Sequence, residues 1–490
     1  MRYLGVGRLM VVALLCTSAA AQAQESRWQS YTDTGWRALS EGKDGVARQN
    51  LVKALQEAEP FPPGDTRRAL THAYLAYVEF KLRDRAEANR NAKEALAVYN
   101  SLAIDDAPAH AAKGLNALAL LYQAYGDFRS ADRLYKKAIA CEEKVRGPNA
   151  IGLGRLLGNE AAMYEAQARY EEAEALRKRE VEILDVAGDN VRVPQAAVAR
   201  QEMGHLYRLW NHDVQAEPHF LRAVELRRSL GKTDDPDLRR ALADLGRLYL
   251  SLGQYDRAEP PLTEALQLRE KLLSAKPAKA QGELAASVYD LGLLELSRGR
   301  YERAEPFLDR ALAIREKAAP EGDVATAATL HSLGKLHSGQ KQFPQAEVAF
   351  KRALQLEGRL LGASHLEVAP TAEALAEVYV HLNQSAEAER YFKRALSIRE
   401  TALGDGHVGV AATRHALANF YRGSHRYADA EPLYKSALVA KEKAFGSDHP
   451  ALAALLEDYA QLFVETKRPE DAAKLKMRAK ALRAKSSTAG

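Results

Sequence analysis

Apolar and polar residues follow one another along this chain with the period of a helix, and the clearest stretch runs from Tyr301 to Gln342. Tyr301, Ala304, Leu308, Ala311, Leu312 and Arg315 recur there at gaps of three and four, which gathers them on one face of a 3.6-residue helix. The pattern places Pro306 in the first turn, where a missing N–H costs no intrahelical bond. Pro320, Gly322 and Asp323 break the helix. A second helix is predicted from Val324 to about Ser338; it carries Leu330, Leu333 and Leu336 and ends at Gly339. The stretch reads as one helical hairpin, and the same plan repeats from near residue 26 to near residue 485.

Small residues set the register. Ala304 has counterparts at Ala47, Ala88, Ala131, Ala173, Ala216, Ala258, Ala346, Ala388, Ala430 and Ala472. Gly334 has counterparts at Gly35, Ala76, Ala119, Ala161, Gly204, Gly246, Gly292, Ala376, Ala418 and Ala460. A third column lies seven residues after the first, from Ala54 to Ala479, and Glu180 is its one exception. From Ala304 onward the step is 42 residues; earlier steps are 41 to 43, except 46 between Ala258 and Ala304. Small side chains are needed where helix backbones approach closely, so each hairpin is expected to pack on the next around a continuous seam.

These columns resemble a tetratricopeptide repeat (TPR) array, specifically the 42-residue variety of kinesin light chains. The copy nearest that pattern is YADAEPLYKSALVAKEKAFGSDHPALAALLEDYAQLF, from Tyr427 to Phe463, with its Tyr-x-x-Ala-Glu-x-Leu-Tyr-x-x-Ala-Leu and Gly-x-x-His-Pro signatures. The resemblance covers about nine tenths of the chain. It implies an all-α fold, a right-handed α-solenoid of stacked helical hairpins with about eleven repeats, forming a single elongated domain over residues 26–485. Length alone suggests about three domains, but the unbroken repeat phase overrides that prior. No alternating strand pattern occurs, and aromatic residues are only 7% of the chain, which suits helix-on-helix packing.

The two ends differ from this plan. Residues 1–23 read as a secretory signal: Arg2 and Arg8 are positive, Leu9 to Cys16 is apolar but too short to span a bilayer, and Ala21-Gln22-Ala23 offers a cleavage site. A retained anchor and a lipoprotein at Cys16 are the alternatives, though Leu15 is large for a residue preceding a lipidated cysteine. Cleavage leaves Cys141 alone, at an apolar helix position, as a buried and inert thiol with no transmembrane segment in the mature chain. The first hairpin, Ser26 to about Glu59, carries Trp28 and Trp36, and Phe61-Pro62-Pro63-Gly64 makes a sharp connection. The 46-residue step adds four residues to an inter-hairpin loop between Lys271 and Gly282. Lys474, Lys476, Arg478, Lys480, Arg483 and Lys485 run with no acid among them, either as the solvated face of a capping helix or as a patch for an anionic surface. Residues 486–490 read as a frayed, disordered tail.

Net charge is +5, or +3 once Arg2 and Arg8 are removed, with both signs interspersed through every repeat. No basic stripe with interleaved aromatics marks a nucleic-acid surface. Catalytic signatures are missing, and no cofactor or metal is expected. Gly231-Lys232-Thr233 lacks the glycine five residues before it that a phosphate loop needs. No two histidines stand at i, i+4 as a zinc site prefers. His365, His407 and His449 fall in turns and, by the resemblance, structure loops.

The resemblance also implies that residues two and three before the Gly/Ala column point into a groove, where kinesin-light-chain-like repeats often carry Asn-Asn. Here the pairs read Asn116-Ala117, Gly158-Asn159, Gln201-Glu202, Ala243-Asp244, Tyr289-Asp290, His331-Ser332, Glu373-Ala374, His415-Ala416 and Glu457-Asp458. The groove is expected to be polar and to turn acidic from the middle onward. His331, Glu373, His415 and Glu457, each 42 residues from the next, are expected to form an alternating ladder that makes partner binding pH-sensitive between about 6 and 8. Two functions fit: an exported adaptor that holds a peptide or protein partner in the groove, or an envelope spacer docking an anionic surface through its last helix.

Overall fold

The computed structural model describes residues 4–186, 191–232, 235–275 and 277–487, without the side chains of residues 4–21, 273–280 and 485–487. Met1 to Tyr3 of the expected leader, Thr233 of the Gly-Lys-Thr run and residues 488–490 of the expected tail therefore lie outside it. Among the described residues all regular structure is helical. The chain divides into two compact units, residues 1–241 and 242–490.

The first unit holds α1 (Leu4–Ser40), α2 (Asp44–Glu57), α3 (Thr66–Lys81), α4 (Arg85–Ser101), α5 (Ala111–Ala124), α6 (Phe128–Arg146), α7 (Ile151–Glu165), α8 (Tyr170–Leu184), α9 (Val193–Leu209) and α10 (Asp213–Ser229). Helix α11 (Pro236–Ser251) leads into the second. That unit contains α12 (Tyr255–Ala275), α13 (Pro277–Ser297), α14 (Tyr301–Ala318), α15 (Val324–Gly339), α16 (Phe343–Leu360), α17 (Val368–His381), α18 (Ser385–Leu403), α19 (Val408–Gly423), α20 (Tyr427–Phe445), a 3-10 turn at Pro450–Leu452, α21 (Ala453–Glu465) and α22 (Pro469–Ser487).

Apart from α11, each odd-numbered helix packs most closely on the even-numbered helix after it, as α13 does on α14 and α15 on α16. This shifts the hairpin phase. Tyr301–Gln342 is not one hairpin: α14 closes the seventh and α15 opens the eighth. The tight turn is Arg298–Arg300, three residues around Gly299, whereas the Pro320–Asp323 break is a longer link between hairpins. Within each unit the hairpins stack in chain order as an α-solenoid.

The small columns do what their size requires. The alanines of the first and third columns are buried along the stack. A Cβ added to Gly334 would lie 2.6 Å from the Phe350 ring, and one on Gly246 would lie 2.5 Å from Leu262. The first helix of a hairpin thus meets a large side chain four residues after the first alanine column in the second. Every hairpin turn also carries one residue in left-handed backbone, five positions before that column. Gly42, Gly126, Gly253 and Gly299 fill it in four hairpins; Arg83, Ala168, Asn211, Lys341, Asn383, His425 and Lys467 do so elsewhere.

Three local expectations are corrected. Pro306 is the sixth residue of α14, not in its first turn, and leaves the Glu302 carbonyl without its i+4 donor. The four extra residues near Lys271 do not make a loop. They lengthen the flanking helices, so that α12 runs to Ala275 and α13 starts at Pro277. Helix α22 continues through Ser487, into the segment expected to fray. Other local readings hold. Trp28 is buried and donates to Thr71 Oγ1 at 2.9 Å, Trp36 stacks on Tyr74, and Cys141 is buried, which pushes its thiol pKa up. The turn histidines act as caps: Nδ1 of His365, His407 and His449 accepts the backbone N–H of Glu367, Gly409 and Ala451.

Candidate functional site

The first helices of successive hairpins lie side by side, and in several hairpins the residue three before the small column reaches across to the next. Asn159 Nδ2 donates to Asn116 Oδ1 at 2.8 Å, the Tyr289 hydroxyl meets Ser332 Oγ at 3.0 Å, and His415 Nε2 meets Asp458 Oδ2 at 2.7 Å. In each case the acceptor or donor is the residue two before the column in the following hairpin. Where that residue is alanine, as at Ala374 and Ala416, the bond moves back one helical turn to a threonine. His331 Nδ1 meets Thr371 Oγ1 at 2.9 Å, and Thr413 Oγ1 donates to Glu373 Oε2 at 3.0 Å. Ala243 has nothing to offer Asp290, so Arg247, one turn on, takes it with Nε at 3.0 Å and Nη2 at 2.9 Å.

The cross-hairpin step is therefore 43 or 40 residues, and the ladder expected at 42 does not form. His331 does not meet Glu373, and His415 does not meet Glu457. Adjacent first helices are offset, so a residue faces the positions two and five before the next column, which share one face of that helix. Burial, and then Lys335, lowers the His331 pKa to about 4, so its imidazole stays neutral through the range in which a switch was expected.

The acidic groove is corrected as well. A second-helix residue eleven after the first alanine column reaches the same face, and it is Arg227, Arg269, Arg315, Arg399 and Arg483 in five hairpins. Arg399 pairs with Glu373. Arg483 grips Glu457 with two bonds of 2.6 Å and holds its pKa below the usual carboxylate range. Arg315 lies 4.6 Å over the Tyr289 ring. Reading only the first helices hid these cations; the recurrence of arginine at one offset was the signal for them. Of the remaining expected groove residues, Gln201 and Asp244 are buried, and Glu202 is half-exposed with its carboxylate 3.9 Å from Arg177.

The family model of the tetratricopeptide repeat matches residues 110–185, 194–271, 283–357, 326–401 and 409–485, well over half of the chain. This chain belongs to the tetratricopeptide repeat family. No curated protein matches its sequence. Among solved structures, the apo form of RapI is 13% identical, with 76% of this chain and 98% of RapI aligned at a TM-score of 0.57, which is a likeness of fold. BtubC (BKLC) from P. vanneervenii is 19% identical over 48% of this chain and 92% of its own, at a TM-score of 0.42. The TPR-like repeats of a putative kinesin light chain from Podospora anserina are 22% identical over 42% of this chain and 96% of theirs, at a TM-score of 0.35.

At the end of this TPR array the basic run splits in two. Arg478 pairs with Glu442 at 2.5 Å and donates to the Ser447 carbonyl, and Arg483 belongs to Glu457. Lys474, Lys476 and Lys480 are exposed and make no ion pair among the described residues, beside Met477, which is 73% exposed. The Lys485 side chain lies outside the described residues. Among the described residues no helix is long and apolar enough to cross a membrane.

Proposed function

We propose that this TPR protein is an exported, non-catalytic scaffold that holds an extended segment of a protein partner along its first-helix face. The observation that carries this reading is what the cross-hairpin bonds leave unused. Lys335 and Glu377 occupy one position in consecutive hairpins, are exposed, and make no hydrogen bond or ion pair among the described residues, although the Lys335 charge acts on Glu377 through space. They flank a cleft of about 360 Å³ lined by His331, Phe350, Pro370 and Arg399. Free charges beside an apolar floor suit a peptide whose side chains are fixed by polar contacts and whose affinity comes from buried apolar surface. Export rests on Arg2, Arg8 and the apolar run Leu9 to Cys16, and places the mature N-terminus near Gln24.

The test is capture from an envelope extract with the purified protein and two variants. Lys335→Glu together with Glu377→Lys should lose the partner, while Val214→Glu, at an exposed position on a second helix, should keep it. Retention by both variants would sink the proposal. N-terminal sequencing that found Met1 on the native protein would end the export claim. A second reading, docking of an anionic surface through α22, is favoured by the three unpaired lysines beside Met477. It requires binding to anionic vesicles that collapses as salt rises from about 50 to about 500 mM.

A further inference from the structure

The fourth hairpin, α7 and α8, breaks three core columns at once. Arg177 stands where other hairpins place Leu51, Tyr135, Phe220 or Phe350, Glu180 replaces the third-column alanine, and Glu160 replaces a leucine. Arg177 and Glu180 are only 4% and 6% exposed, and they pair at 2.9 Å, with Glu165 on Arg177 Nε at 3.0 Å. Gly158 makes the room: a Cβ there would lie 2.6 Å from Glu180 Oε1. Above this pair a cleft of about 810 Å³ opens between α7 and α9.

Glu180 Oε1 makes no hydrogen bond among the described residues, although the residue is more than nine-tenths buried and lines the cleft. Glu202, across from it on α9, is likewise without a hydrogen bond. Arg227, at one end, is held by Asp237 at 3.1 Å and Asp235 at 4.0 Å, and Arg155 stands exposed on α7. Glu180, Glu202 and Asp237 thus line the cleft with Arg155, Arg177 and Arg227, and Glu165 on Arg177 and Asp235 near Arg227 already compensate two of the three guanidinium groups. Ile151, Leu184, Pro194 and Val198 give it apolar walls, and Ile151 and Val198 are exposed at its edge.

We infer that this cleft receives a cationic group on an aliphatic stem, a lysine or arginine side chain of the bound partner segment. The inference rests on the proposed scaffold function and names what one pocket of that surface recognises. The stem lies along Val198, Ile151 and Leu184, and the head group sits between Glu180 Oε1 and Glu202, the two acceptors the protein leaves open. Burial raises the Glu180 pKa, Glu202 and Glu165 push it further, and Arg177 opposes them; a bound cation relieves that repulsion.

The probes are acetyl-Gly-Gly-Lys-Gly-Gly-amide, its norleucine and glutamate analogues, and spermidine. Each is titrated into purified, methyl-labelled protein and followed at the methyl groups of Ile151, Leu184 and Val198. The lysine peptide should bind roughly tenfold more tightly than the norleucine one, the worth of one charge-assisted contact in a desolvated site. Glu202→Gln, half-exposed and safe for folding, should remove most of that preference; Glu180→Gln tests the floor, with circular dichroism as its folding control. Equal binding of lysine and norleucine, preference for glutamate, or an unchanged preference in Glu202→Gln would overturn the inference. Binding of spermidine without the lysine peptide would overturn it too, since the site would then serve free polyamines. These readouts need no natural partner, so their failure leaves the scaffold proposal standing, and loss of partner capture leaves the pocket to be judged separately.

Discussion

Glu160 offers a sharp energetic test, because it puts a carboxyl in a column that, after Thr34 in the first hairpin, is otherwise leucine, methionine or tyrosine. It is 2% exposed and makes no hydrogen bond or ion pair among the described residues. Two charged groups face it from α6. Lys136 is already engaged by Asp132 at 2.9 Å. Asp132, against the cost of its own burial, is held below the usual range by hydrogen bonds from Tyr164 and Lys136 and so remains anionic. Burial first, and Asp132 second, push the Glu160 pKa up from 4.5 to about 7. Below about pH 4.5 the group is protonated whether the chain is folded or not, and it costs nothing. As pH rises toward 7 the unfolded chain ionises first, so folded stability falls; above 7 the whole penalty is present. A gap of about 2.5 units at about 1.4 kcal/mol per unit makes that penalty on the order of 3 kcal/mol. In a unit of this size it corresponds to roughly 6–12 °C in melting temperature. Glu160→Gln keeps the shape and removes the charge. Thermal unfolding of both proteins, followed by circular dichroism from about pH 4 to 9, should show curves that coincide in acid and separate by that amount in base. Parallel pH profiles for the two would refute the reasoning.

The remaining predictions concern packing and turns. Gly334→Ala should cost about 1–3 kcal/mol by driving Cβ into the Phe350 ring, and Phe350→Leu in the same chain should recover part of it; strictly additive losses in chemical denaturation would contradict the contact. His407→Ala should lose about 0.5–2 kcal/mol with the cap on Gly409, and His407→Asn should restore most of it, measured the same way. Lys341→Gly should raise stability by up to about 1 kcal/mol, because φ there is 60° and glycine occupies the same turn position in four other hairpins.

Much of this molecule was legible from spacing. A residue that must be small for two helices to touch has few substitutes, so the three columns stand out and set the number, size and order of the hairpins. The phase was harder: Tyr301–Gln342 carries all the right faces, but periodicity cannot say which of two flanking turns is tighter. The cross-hairpin bonds were misjudged for a geometric reason. Residues 42 apart are equivalent, yet equivalence is not contact; the stagger of adjacent helices sends His415 to Asp458 and His331 to Thr371. The arginines of the second helices neutralise acids that looked free because the two lie on different helices. The fourth hairpin was visible in part, since Glu180 already stood out of its column, but the cavity above it depends on where Gly158 and Arg177 come to rest.

The scaffold claim is tested most directly by photocrosslinking in the source cells, with benzoylphenylalanine placed singly at Val198 and Lys335 on the first-helix face and at Val214 and Val439 on second helices. All four positions are exposed. The account predicts that the same partner protein crosslinks from Val198 and Lys335, and that Val214 and Val439 give background only. Crosslinking of the partner from the second-helix positions, with none from Val198 or Lys335, would contradict it.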